Sequence, residues 1–530
     1  ATVFLLLQYT GLGTYGAAKL TDWLHERYGV QLQIGRVSMG FPASVELQET
    51  LVYDLRGDTL LCASRASTSL LALARMGREL HFGQTELHDA SLRIRVDSAG
   101  VINITEFFKV FKSAKPKNNP KRFELSIDQI NFSDTRFSLQ YVGTAATPGR
   151  FNHRDISFSE LRGTVHHLRV ASDTVRMEIN GLHFREKSGF AAQEFQTRMS
   201  LCNHHLHFQD IELREGRQHL RVSDFRMDFD GFGAMKDFVH NVRLSLAIEP
   251  SVLTPRLFSY FVPRLRPSDL PLYATGYAAG TIASLQVHAL TVGTGTETRL
   301  RLQSSFEGLP KVHDAMVHLE VKECRTSLED VRMLTDSLGL AHFTLPDFAR
   351  RLQRLAYKGE LVGFLDDFVA YGTLTSNLGN VGVDLSLRID PQEGTAFDGK
   401  ISTQRLHVGQ LIHKELLGHT DLKGSIEGVV KGGGKLHART QISIDNLEFK
   451  NYTYHHIDLD GDVTPKSYSG HATVRDSALQ LSFTGELDFS DSIPQYQFAA
   501  QAPHIDLKRL HWYEKDSVAQ LSFDVNAFYE

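Results

Sequence analysis

The stretch VGVDLSLRID, residues 381–390, is the part of the chain on which the fold turns. Val381, Val383, Leu385, Leu387 and Ile389 hold one parity; Gly382, Asp384, Ser386, Arg388 and Asp390 hold the other. Successive side chains of a strand point to opposite faces of its sheet, so the segment reads as a strand with one apolar and one solvated side. The same alternation recurs along the chain. In ASLRIRVD, Leu92, Ile94 and Val96 alternate with Arg93, Arg95 and Asp97; in DFRMDFD, Phe225, Met227 and Phe229 alternate with Arg226, Asp228 and Asp230. NVRLSLAIEP places Val242, Leu244, Leu246 and Ile248 on one side, and later copies hold Ile442 and Ile444, then Leu479, Leu481 and Phe483, then Phe523 and Val525.

A chain of 530 residues would ordinarily divide into several domains, because single cores stop growing at roughly 250 to 300 residues. A sheet extended strand by strand escapes that limit, since each strand is supported mainly by its neighbours. The low count of 15 prolines suits long backbone ladders that proline would interrupt. The 57 basic and 62 acidic residues leave a net charge of −5 spread along the chain, so no nucleic-acid partner is expected. Cys62, Cys202 and Cys324 are too few and too scattered for a disulfide framework or a zinc site, and read as small apolar residues.

Histidines cluster at His166-His167, at His204, His205 and His207, and at His455-His456. A strand puts His205 and His207 on one face, but no third ligand stands at a metal-enzyme spacing, so no metal and no cofactor are expected. There is no HExxH, no GxSxG and no GxxxxGK[ST], and KGGGK at 431–435 reads as a turn between strands. No catalytic residue is assigned, and the chain is not expected to be an enzyme.

The first 18 residues precede any charge and contain the run Val3, Phe4, Leu5, Leu6, Leu7, which reads as the outer end of a membrane anchor. Both ends of the chain look cut within a pattern. Residues 19–29 read as a short helix terminated by Gly29. Strand-like segments follow, separated by turn signals such as RGD at 56–58, DSAG at 97–100 and DGFG at 230–233. Helical patterns interrupt them at 253–265, 327–339, 346–356 and 408–418, and KSAKPKNNPKR at 112–122 reads as a loop. The expected partition is an anchor remnant at 1–18, the helix at 19–29, a first β segment at 30–250, a mixed segment at 251–357 and a second β segment at 358–530. These few helices are too short to cover the apolar face of so many strands. That face must meet another sheet, fold onto itself, or hold something that is not protein.

Several segments resemble TamB of the Bacteroidota type, a translocation and assembly module subunit of the AsmA-like superfamily. After the anchor-like opening comes a D-x-x-G-D-T-L-L-x-A pattern carried by Asp54, Gly57, Asp58, Thr59, Leu60, Leu61 and Ala63, and then LHDASLRIRVDSAGVINITEFF with Asn103. The likeness is strongest in KGELVGFLDDFVAYGTLTSNLGNVGVDLSLRID, FDGKISTQRLHVGQLI and ISIDNLEFKNYTYHHIDLDGDV. The resemblance implies a mainly β protein, an elongated antiparallel sheet curved lengthwise into an open trough. It also implies one N-terminal pass through the inner membrane of a diderm bacterium, with the bulk of the chain in the periplasm. The partners it implies are phospholipid acyl chains, the inner membrane, and an outer-membrane barrel met through a C-terminal region that this sequence does not contain. On that view the apolar positions named above line the trough. Two other readings compete: a scaffold for outer-membrane protein assembly that pairs strands at its sheet edges, and a carbohydrate-active β protein, disfavoured by the presence of only Trp23 and Trp512.

Overall fold

The computed structural model describes residues 29–40, 44–69, 79–109, 124–145, 149–171, 173–260, 266–338, 351–390, 392–432, 435–490, 493–513 and 519–529, with single residues between 15 and 28. The expected anchor at Val3 to Leu7, residues 20, 23, 24 and 27 of the 19–29 helix, and the 112–122 loop lie outside the described residues. Gly29 itself sits at φ +69°, and its N–H donates to the His25 carbonyl at 2.8 Å, as a helix terminator would.

The chain divides into two compact units, residues 1–282 with 337–339 and residues 283–336 with 340–530. Strand dominates both. The first unit carries β1 (Leu32–Gly40), β2 (Ser44–Tyr53), β3 (Thr59–Ser69), β4 (Glu79–Val96), β5 (Glu124–Tyr141), β6 (Asp155–Ala171), β7 (Thr174–Glu186), β8 (Ala191–Leu201), β9 (His205–Glu215), β10 (Gln218–Asp228), β11 (Arg243–Leu253) and β12 (Leu272–Gly280). The second carries β13 (Ser284–Thr294), β14 (Thr298–Glu307), β15 (Met316–Ser327), β16 (Arg354–Gly363), β17 (Asp367–Ser376), β18 (Gly379–Asp390), β19 (Gly394–Gln404) and β20 (Leu406–His407). It continues through β21 (Leu417–Lys431), β22 (Lys435–Phe449), β23 (Tyr452–Val463), β24 (Ser467–Arg475), β25 (Leu479–Asp488), β26 (Gln495–Asp506) and β27 (Gln520–Tyr529). Short helices intervene: α1 (Asn103–Lys109), α2 (Phe238–Asn241), α3 (Pro255–Ser259), α4 (Leu328–Leu338) and α5 (Val408–Ile412).

Within each unit, neighbours in sequence pair antiparallel, and β19 and β20 both pair with β21. Among the described residues no pairing links β1 to β12 or β13 to β27, so each unit is an open sheet. One pair departs from the expected antiparallel order: β4 and β5 run parallel over their whole length, from Glu79↔Glu124 to Val96↔Tyr141. Parallel neighbours need a crossover of a dozen or more residues, and the segment between Val96 and Glu124, which includes α1, supplies it. Of the helix expected at 346–356, residues 346–350 lie outside the described residues, and its end is corrected. From Arg354 onward this segment is β16, because Arg354, Leu355 and Ala356 pair with Ser327, Thr326 and Arg325 of β15, and pairing overrides local helical preference.

Strict alternation holds along β16 to β19 but breaks in most of the first unit, and one form of break recurs. A tetrapeptide recurs: LQET at 47–50, LHDA at 87–90, FSDT at 132–135, FSEL at 158–161, VHHL at 165–168, INGL at 179–182 and FQDI at 208–211, and in the second unit VHAL at 287–290, TQRL at 403–406 and YHHI at 454–457. In every copy the third residue is left-handed, with φ between +46° at Asp89 and +59° at Gly181. This is a β-bulge. In a regular strand the first and fourth residues would face opposite ways; the bulge turns both to the apolar side. Phe158 and Leu161 accordingly join one cluster, and Tyr454 and Ile457 another. The copies on β4 and β5 are level, Leu87 with Phe132 and His88 with Ser133. Small side chains fill the row beside them: Thr50 opposite Ala63, Ala63 opposite Ala90, and Thr135 on β5, all buried.

Four of the left-handed residues carry acidic side chains that find partners on the polar side. Asp134 accepts two hydrogen bonds from Arg162 at 2.6 and 3.0 Å, Asp210 pairs with Arg198, Glu160 lies 3.4 Å from Arg185, and the Asp89 carboxylate accepts from Ser64 at 2.8 Å. Such exposed pairs contribute little by themselves; the backbone shape is the larger constraint. Asp tolerates positive φ and a β-branched residue does not. Asp134→Val is therefore expected to lower unfolding stability by about 2 kcal/mol, with Asp134→Gly nearly neutral. Denaturant midpoints of the two variants check this, and equal losses would mean that the Arg162 pair, not the backbone, matters.

The second unit adds a buried carboxylate. Asp330, in the first turn of α4, accepts N–H bonds from Glu297 at 3.0 Å and Thr298 at 2.8 Å, and the Thr298 hydroxyl at 2.8 Å, fixing the β13–β14 hairpin. Burial pushes this carboxyl upward, but the Glu297 and Thr298 donors outweigh it and hold it below the ordinary Asp value. A depressed carboxyl stabilises the fold above its unfolded pKa and loses that contribution as pH falls through the folded value. Asp330→Asn is expected to cost about 2 kcal/mol at neutral pH. The gap to wild type should close as pH falls below about 3.9. A pH-independent gap in urea midpoints would refute the assignment.

Candidate functional site

Each unit carries an apolar face on its sheet. In the second unit its rows can be followed strand by strand from the register. Val383 stands opposite Ile401, Ile401 opposite Gly424, Gly424 opposite Ile442, and Ile442 opposite Leu459. The row continues through Ala472, Phe483 and Ala500 to Val525. A parallel row joins Ile444, Ile457, Val474 and Leu481. The structure thus brings Val383, Ile442, Phe483 and Val525 together in one line, and sets Val381, Leu385, Leu387 and Ile389 on the same face of β18.

In the first unit Leu92, Ile94 and Val96 lie opposite Phe137, Leu139 and Tyr141. Phe225 faces Phe208 and Leu246, Met227 faces Leu206 and Leu244, and Ile248 faces Val222. The Phe208 and Phe225 rings stack at 6.1 Å. Phe229 and Val242 are buried just outside β10 and β11. The Leu92 set follows the bulge on β4, whereas the Phe225 set pairs with the half of β9 that precedes its bulge, so the two sets occupy opposite sides of the bulge row.

Burial along this face is incomplete. Of the 22 apolar positions singled out from the sequence, Val96, Phe229, Val242, Ile444 and Leu479 are buried, Ile389 and Val525 are exposed, and the other fifteen are half-buried. A face covered by a second sheet would be buried throughout. Closed clusters form at one end of the second unit only. Leu352, Leu378 and Leu406 gather Val408 and Leu411 of α5, and Ile444, Ile457, Val474 and Leu479 gather Leu510 from the turn after β26.

Two features of the face escape the alternation argument. An aromatic layer spans β24 to β26, with Phe483 and Phe498 centroids 5.4 Å apart, Tyr468 and Phe483 6.2 Å, and Tyr496 and Phe498 6.4 Å. Glycine also stands opposite glycine, Gly359 with Gly372 and Gly461 with Gly470, where the two backbones approach too closely for any side chain. A tyrosine leans toward each pair: the Tyr357 hydroxyl donates to the Tyr371 carbonyl at 3.2 Å, and the Tyr468 hydroxyl to the His471 carbonyl at 2.8 Å. Burial pushes both phenols up, with the Glu360 and Asp460 carboxylates adding to it. Aromatic cover of strand glycines is a known device of sheets, and a glycine among apolar parities is the signal that would have revealed it.

No family model, no curated protein and no solved structure matches this chain.

The other candidates resolve into structural roles. The Asp54 carboxylate accepts the N–H groups of Arg56 and Asp58, each at 2.9 Å, and the Asn103 amide at 3.2 Å, so the two segments Asp54–Asp58 and Asp97–Asn103 lock together. The Val101 N–H and then the Arg56 guanidinium hold the Asp97 carboxyl below its ordinary value. His205 Nδ1 lies 3.2 Å from Cys202 Sγ while His207 Nε2 meets Asp224 at 2.6 Å, so the two imidazoles serve different partners. Among the described residues no group of three or more His, Cys, Asp or Glu could hold a metal, and no helix is long and apolar enough to cross a membrane. His167 and His456 are bulge residues, which accounts for the histidine pairs. Cys62, Cys202 and Cys324 are half-buried free thiols, and burial raises that of Cys324. A groove of about 1320 Å³ crosses β15 to β24, lined by four lysines and five carboxylates among other residues. Its near balance of charge exerts little pull on an anion.

Proposed function

We propose that the apolar faces carry phospholipid acyl chains between two membranes, in a periplasmic protein held to the inner membrane by its N-terminus, without catalysis. The observation that carries this reading is an apolar row that stays only half-buried from Val383 through Ile401, Ile442, Leu459 and Ala472 to Phe483. A soluble domain ordinarily covers such a surface, since contiguous exposed apolar area marks a binding site or an aggregation hazard. Each methylene withdrawn from water is worth about 0.8 kcal/mol, so an acyl chain of about 16 carbons gains on the order of 10 kcal/mol on such a surface. A row of Val, Ile, Leu and Phe, interrupted by the small Gly424, Ala472 and Ala500, offers that gain from strand to strand without a specific pocket, which suits movement rather than capture. The resemblance to TamB points the same way, and the support it adds for outer-membrane biogenesis is of that kind alone.

Native mass spectrometry of the purified chain tests the proposal. Co-purifying phospholipid is the expected result. Protein that is lipid-free after mild extraction, and that takes up none from vesicles, would overturn it.

A further inference from the structure

The two ends of the strands in the second unit are built differently. At one end only short connections separate the strands, three residues each between β16 and β17, β18 and β19, and β21 and β22, and six between β25 and β26. At the other end they carry α5 and the Leu507–Tyr513 turn, whose Leu411 and Leu510 fold back onto the apolar face. Leu510 is fully buried there, and its N–H donates to the Asp506 carbonyl at 3.1 Å. On β18 burial falls from the capped end to the hairpin end. On β18 and the turn before it, Leu378 is 6% exposed, Val381 to Leu387 are half-buried, and Ile389 is 46% exposed.

The hairpin end is itself apolar at its tips and charged just behind them. Leu365 is 54% and Ile493 59% exposed. Asp367 accepts from Arg388 at 3.1 Å, and Lys431 stands 3.8 Å from Glu393. The nine residues from Val381 to Ile389, eight steps at a strand rise of about 3.4 Å, span about 27 Å. The hydrocarbon of one leaflet is about 15 Å deep, half of a bilayer core, so a full acyl chain fits along a strand.

Resting on the function proposed above, we infer that a diacyl phospholipid lies along these strands with its methyl ends at the capped end and its headgroup at the hairpin end. A methyl terminus has no polar group to hydrate and gains most where Leu510 and Leu411 exclude water. A headgroup cannot enter that end without burying an unpaired charge. At the hairpin end it meets water. The reverse pose would place the polar group against Ile444 and Leu479, which are nearly inaccessible.

The test is photo-crosslinking of the full chain with two phosphatidylcholine probes, one bearing a diazirine near the end of an acyl chain and one bearing it on the headgroup, followed by peptide mapping. The tail probe is expected to label peptides around the half-buried Val381, Leu422 and Leu481 near the capped end in several-fold excess over those around Ile389 and Phe489, and the headgroup probe the reverse. Equal or inverted distributions would overturn the orientation while leaving lipid carriage intact. If neither probe labels this unit, lipid carriage fails and the orientation fails with it.

Discussion

Leu385→Asp is expected to abolish phospholipid transfer while the protein remains abundant. Leu385 sits mid-strand on β18, opposite Ala370 of β17 and Gly399 of β19, and it is half-buried. Losing the leucine there costs about 2 kcal/mol of burial, which a domain of this size survives. The new carboxylate is not trapped, because the face is open and water can follow it. Acyl chains moving along the row must then cross a hydrated charge, which disfavours them strongly. Ser386→Asp is the matched control, one residue on and exposed on the polar side, opposite Val369 and Asp398. Facing Asp398 it costs roughly 0.5 kcal/mol through like-charge repulsion and leaves the apolar row untouched. Transfer of labelled lipid between donor and acceptor vesicles, with protein level followed in parallel, checks both. A fully active Leu385→Asp protein would sink the conduit, and would instead favour a scaffold that works through its sheet edges. An unfolded Leu385→Asp protein would mean that this face is a closed core.

How much of this can be read from residues alone depends on where the backbone is regular. VGVDLSLRID is legible because β18 pairs with both neighbours without a register break, so parity maps directly onto face. LHDA and FSDT are not, because a left-handed third residue advances the apolar phase by three and the pattern looks lost. The information is nevertheless present: an Asp, Glu or His after one polar residue, between two residues of the apolar side. Asp and His visit positive φ more readily than most residues, which is why His167 and His456 serve the backbone rather than a metal. The parallel pairing of β4 with β5 is illegible for a different reason. Alternation is the same read forward or backward, so ELHF and ELSI cannot announce their relative direction. Nor does RLHWYE, around Leu510, show any helical or strand period, and only tertiary packing makes it a cap. The apolar face as a candidate site therefore follows from sequence, and its closed and open ends do not.

Gly461→Val is expected to unfold the second unit at far lower temperature than wild type. Gly461 on β23 stands opposite Gly470 on β24, and a Cβ there would lie 2.8 Å from the Gly470 Cα and closer still to the Ser469 carbonyl oxygen. Both are backbone atoms held in the ladder, so neither can swing away as a side chain would. The Gly461 carbonyl is also committed, accepting the buried Thr440 hydroxyl at 3.1 Å. Relief requires parting β23 from β24 beside the aromatic layer, where Tyr468 is tied to the His471 carbonyl. Overpacking of this kind costs about 3 kcal/mol or more, which for a unit of this size is a fall of roughly 10 °C in melting temperature. Gly432→Val, in the turn after β21 with nothing within 4 Å of the added Cβ, is the control, expected to stay within about 0.5 kcal/mol of wild type. Thermal melts followed by circular dichroism read both. If Gly461→Val melted with Gly432→Val, the close approach of β23 and β24 would be wrong, and the glycine pairs would owe their presence to the occupant of the face rather than to the packing of the sheet.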